Sequence, residues 1–126
     1  ADGAVARAGE VIQLSYLADS ARYGVILSID GRGVITFHLP EGWEKGTARS
    51  PALDGSGEIT LASAYELDDA PAFERFFLVY GDDPFDVSDA AGPARRLAAR
   101  PADARRGRLS LPRSLFQASF LLVKER

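Results

Sequence analysis

The chain has no cysteine and no methionine, one histidine, and two lysines against thirteen arginines among 126 residues. Without cysteine there is no disulfide, no thiol nucleophile and no cysteine-based zinc site. That absence leaves the compartment open, because exported bacterial domains also occur without disulfides. The lack of methionine predicts that Ala1 follows a removed initiator or that the chain is a piece of a longer protein. No charged segment leading into an apolar core, the pattern of an export signal, precedes the domain, so any signal or membrane anchor is expected upstream. The longest strongly apolar run, Phe120 to Val123, falls far short of the ~20 residues that cross a bilayer. No P-loop, dinucleotide fingerprint, nucleophile elbow or H-E-x-x-H pattern occurs, and no repeat of roughly 20–50 residues is visible.

What is present describes an ordinary globular domain. Hydrophobic residues make up 46% and charged residues 26%, a balance that argues against disorder and, at this length, for one domain. The net charge of −3 gives no whole-molecule reason to expect nucleic-acid binding. The excess of arginine over lysine fits a GC-rich bacterial coding sequence and carries no mechanism.

Residues 1–9, small and weakly patterned, are expected to be a leader or linker, with a single domain over 10–126. Apolar and polar residues alternate in Val11–Ala18, Arg22–Asp30, Gly33–Pro40 and Glu58–Leu67, the period of a strand. In the third of these, Val34, Thr36 and His38 share one side, and Ile35, Phe37 and Leu39 the other. Gly24 inside a strand predicts a bulge or a close neighbour. Asp30-Gly31-Arg32-Gly33 predicts a tight hairpin. Glu74–Gly81 is apolar on both sides, as a central strand is, and Gln117–Glu125 has the same texture. Residues 41–57 form a long connection, and Arg108–Pro112 a short strand or extended segment. Helical character is confined to residues 87–99, with Asp86 or Ser88 as the cap and a break expected at Gly92-Pro93; Pro101 ends it. The expected fold is mainly β: an antiparallel, two-layer, immunoglobulin-like sandwich of about 6–8 strands with one short helical insert near residues 87–100.

Chemistry-bearing residues are few. His38 would need an orienting carboxylate and a nucleophile to act as a base, and nothing in the sequence assembles them. The acidic groups Asp68-Asp69 and Asp82-Asp83-Pro84-Phe85-Asp86 lack the spacing of a calcium loop and fit turns and a helix cap. The sharpest asymmetry is basic: Arg95, Arg96, Arg100, Arg105, Arg106, Arg108 and Arg113 against Asp103 give +6 over residues 95–113. Such a segment suits a solvated face, an acidic partner or an anionic surface. It has no interleaved aromatics, so base stacking is unsupported. Trp43, in the glycine-rich connection, is expected to fold back over the sheet edge, with sugar or partner anchoring as the alternative. The expected contact residues are Trp43, Arg95, Arg96, Arg100, Arg105 and Arg106. No catalytic residue, cofactor or metal is expected.

Three stretches, residues 8–42, 65–87 and 111–125, resemble the C-terminal extracytoplasmic domain of bacterial ActD-like, anti-sigma-factor-like membrane proteins. They also resemble a related sandwich family of unknown function in which a strand, a D-G turn and a second strand recur, here Tyr23 to Leu39. The resemblance implies a β-rich module carried outside the cytoplasmic membrane by an upstream membrane helix, which follows a cytoplasmic zinc-binding helical domain. Its implied role is non-catalytic sensing or contact with a protein partner, with no nucleic acid and no membrane contact beyond the anchor. A carbohydrate- or cell-wall-binding module is the alternative.

Overall fold

In the computed structural model, residues 4–7, 9–12, 15–17, 22–53, 58–60, 65–67 and 72–125 are described. Nine strands occur among them: β1 (Ala4–Arg7), β2 (Val11–Ile12), β3 (Ser15–Leu17), β4 (Tyr23–Asp30), β5 (Ile35–Leu39), β6 (Glu58–Thr60), β7 (Tyr65–Glu66), β8 (Phe73–Gly81) and β9 (Phe116–Glu125). Two helices, α1 (Ser88–Ala98) and α2 (Pro101–Ala104), separate β8 from β9.

The main sheet has five strands in the order β1-β9-β8-β4-β5. β4 and β8 pair over eight antiparallel positions, Tyr23–Asp30 against Gly81–Glu74. Every residue of β4 after Tyr23 is buried, which explains why this stretch carries apolar residues on both sides. Val25, Leu27 and Ile29 point to one face with Phe77 and Val79 of β8. There they meet Val87, Ala90, Ala91, Ala94 and Ala98 at the helical end of the core. The small alanine side chains let α1 lie close on the sheet. On the opposite face Phe76 and Leu122 pack with Ala6, Leu67, Ile12 and Tyr65, while Ile26 meets Leu53, Leu39, Leu78 and Tyr80.

The mainly β expectation agrees with this architecture, but two of its details do not. The sheet is mixed, because β1 runs parallel to β9. Among the described residues no second large sheet completes a sandwich: helix covers one face, and the remaining strands form two two-stranded ribbons, β2–β7 and β3–β6. The segment expected as leader is in part the edge strand β1. Its pairing with Leu122–Glu125 comes from a partner more than a hundred residues away, which local pattern does not reveal.

The Asp-Gly turn forms as expected. Asp30 Oδ1 accepts the backbone N–H of Arg32 at 2.8 Å and of Val34 at 2.9 Å. Gly33 has φ of 83°, and a Cβ there would lie 2.7 Å from the Ala98 carbonyl oxygen. The turn is thus tucked under the C-terminus of α1, and only glycine satisfies both demands. Gly24 also marks a close approach, since its Cβ would meet Leu53 at 2.9 Å.

The break at Gly92-Pro93 does not occur. α1 runs through Pro93, which is buried. Gly92 has no Cβ to clash with the proline ring, which removes part of the bar to helical geometry before proline. The interruption falls instead at Arg100, whose φ of −124° and ψ of 81° are extended, as expected of a residue preceding Pro101. Asp86 does not cap from the N-cap position, which Val87 holds without a side-chain bond. Its Oδ1 accepts from the Ser88 N–H at 2.9 Å and hydroxyl at 2.8 Å, and these bonds hold its carboxyl below the usual range. Leu39 departs from the alternation of β5: an irregularity between Ile26 and Leu27 pairs it with Ile26 and turns it to the face opposite α1.

Candidate functional site

Arg95 and Arg96, on the solvent face of α1, and Arg100, just beyond its end, are all exposed. The first two sit in the last turn of α1, where cations oppose the helix dipole. Arg95 leans one way: its Nη2 donates to the Glu44 carbonyl at 3.1 Å, and its guanidinium carbon lies 5.9 Å from the Trp43 ring centre. Trp43 is half-buried and packs edge-on against Phe37 with ring centres 4.8 Å apart. It therefore folds back onto the molecule, with the Arg95 guanidinium over its ring.

Arg96 and Arg100 lean the other way. With Arg108, Pro93, Leu97 and Ser110 they line an open groove of about 480 Å³. The far wall is the extended segment after α2. It is not a strand, as the sequence allowed, but is fastened by a side chain that imitates one: the Leu109 N–H donates to Gln117 Oε1 at 2.9 Å, and Gln117 Nε2 donates to the Leu109 carbonyl at 2.7 Å. Gly107 lets the chain reach this wall, because a Cβ there would lie 2.7 Å from the Asp103 carbonyl oxygen and 2.9 Å from Leu97. Among the described residues, the side chains of Arg96, Arg100 and Arg108 make no ion pair or hydrogen bond. Arg105 is separate, half-buried with its guanidinium 5.8 Å from the Phe73 ring centre; Arg106 and Arg113 are exposed. The six expected contact residues thus split: Trp43 with Arg95, Arg96 with Arg100 in the groove, Arg105 against the core, and Arg106 exposed outside the groove. Arg108, not among the six, completes the groove.

His38 lies on the opposite face. Its Nε2 is 2.9 Å from Ser28 Oγ, and its ring packs edge-on against Tyr65 at 4.5 Å and near Phe76 at 5.6 Å. Desolvation lowers its pKa from 6.5 to about 4, with Glu41 opposing part of the shift. Ser28 is fully buried in the central strand, so its hydroxyl is out of reach of a substrate.

Beside this pair lies a buried charge pair that sequence reasoning missed. Glu74, fully buried on β8, is 3.0 Å from Lys124 Nζ on β9, and the Tyr65 hydroxyl donates to Glu74 Oε2 at 3.5 Å. Arg75, also buried, donates to the Ala104 carbonyl at 3.1 Å and to Ser119 Oγ at 2.7 Å. The signal was Glu74-Arg75 at the head of an otherwise apolar strand. Both are satisfied inside the fold, which marks them as fastenings between layers.

Asp82 and Asp83 are exposed at the end of β8 beside a recess of about 260 Å³ that Phe85 and Phe116 also line. Among the described residues no three histidine, cysteine or acidic groups come together to hold a metal ion. Asp68 and Asp69 lie outside the described residues. Among the described residues no helix is long and apolar enough to cross a membrane. Comparison with known proteins gives no matching family model, no matching curated protein and no matching solved structure.

Proposed function

We propose that this chain, the edge strand β1 included, forms a non-catalytic interaction module, displayed outside the cytoplasmic membrane by a single-pass bacterial regulator of the anti-sigma-factor-like kind that residues 8–42, 65–87 and 111–125 resemble. The observation that carries this reading is the arginine groove. Residues 95–113 hold +6 in a chain of net −3, which leaves −9 for the rest, and three of those arginines surround one concavity with no partner among the described residues. A surface kept charged, concave and unengaged suits recognition better than folding. The lone imidazole supports the non-catalytic part, since its hydroxyl partner is sealed in the sheet. Signalling would follow from a partner that binds one state of the regulator better than another.

The test is made in the full-length regulator. Removing residues 10–126 should change transcription from the regulated promoter while leaving membrane insertion intact, and a reporter fused after residue 126 should be active only when exported. Unchanged transcription, or a reporter active only in the cytoplasm, overturns the reading.

A further inference from the structure

Arg96 lies in the last turn of α1 and Arg100 in the extended link between α1 and α2. Arg108 faces them from the segment that Gln117 holds down, and the space between is about 480 Å³. Its floor is apolar, from Pro93 and Leu97, and its only acidic lining residue is Asp103. Guanidinium groups present planar forks of donors that match carboxylates. Like charges gathered round one concavity repel until an anion enters.

The geometry points to an acidic, glutamate-bearing peptide segment as the occupant of this groove. The proposal rests on the interaction-module reading and names the partner's chemistry. The methylenes of glutamate would lie along Leu97 and Pro93, which favours glutamate over aspartate. A flat lipid surface would meet the arginine heads but leave the floor unused. Nucleic acid would find no aromatic platform, since no lining residue is aromatic.

The experiment titrates the whole chain against a capped, fluorescein-labelled peptide containing Glu-Val-Glu, read by anisotropy, with Gln-Val-Gln as its comparison. The expected result is saturable binding at least tenfold tighter for the glutamate peptide, and weaker at 300 than at 50 mM salt. The double variant Arg96→Gln/Arg100→Gln should lose at least tenfold with its unfolding midpoint unchanged. Arg113→Gln, outside the groove, should bind as the parent does. Equal affinity for the two peptides, or no loss in the double variant, overturns the proposal. So does binding to phosphatidylglycerol vesicles that needs Arg96 and Arg100 when the peptide does not bind. A silent peptide with a regulator still sensitive to removal of residues 10–126 sinks this proposal alone. An insensitive regulator with the peptide still bound sinks the interaction-module reading instead.

Discussion

His38 makes the stability of the fold depend on pH in a window of its own. Its ring, wedged against Tyr65 and Phe76, is kept neutral by desolvation, with a pKa near 4 in place of 6.5. A base whose folded pKa is depressed binds more protons when unfolded, so its contribution is full above about pH 6.5 and fades as pH falls toward 4. At 1.36 kcal/mol per unit, and discounted for partial exposure, that is roughly 1–3 kcal/mol. His38→Gln should retain a polar contact to Ser28 and abolish this component. The urea midpoint of the parent should therefore fall relative to that of the variant between pH 6.5 and 4, against a shared loss from carboxylate protonation. A constant difference across that window would refute the shift. The residue type was plain in the sequence and its setting was not, because Ser28, Tyr65 and Phe76 reach it from three other strands.

At the scale of elements, β1 is the part whose role is least evident from its residues. Ala4–Arg7 pair with Leu122–Glu125 and cover the last part of β9, and Ala6 joins the cluster of Phe76 and Leu122. A chain lacking residues 1–7 should be destabilised by about 1–3 kcal/mol, from a few ladder hydrogen bonds and one buried methyl. Its Leu122–Glu125 amides should exchange faster in deuterium oxide; an unchanged urea midpoint with protected amides would contradict the pairing. The strands with strong alternation and the Asp30-Gly31 turn were legible because local pattern and tertiary role agree in them. β1 was not, since of its four residues only Val5 favours a strand, and four residues are too few to show an alternation. The helix was legible by composition, but its break was misplaced: Gly92 relieves the clash that Pro93 would impose, whereas Arg100 has a Cβ and cannot avoid it before Pro101.

Over the whole molecule, charge is sorted against fold. The sheet takes in its ionised groups as partners, Glu74 with Lys124 and Arg75 with Ala104 and Ser119. Beyond the sheet, Arg96, Arg100 and Arg108 are exposed and, among the described residues, make no ion pair or side-chain hydrogen bond. The arginine excess was legible as a run of charge. The groove was not, because it depends on Gly107 bringing the chain back past Leu97 and on Gln117 pinning Leu109 from another strand. The most direct measurement is a nitrogen-15 amide map of the labelled chain titrated with the Glu-Val-Glu peptide. Shifts should concentrate at Arg96, Leu97, Arg100, Arg108 and Ser110 and spare Ser28 and His38. Shifts centred on Ser28 and His38 instead, or scattered evenly over the surface, would contradict a molecule that meets its partner through the helical arginine face.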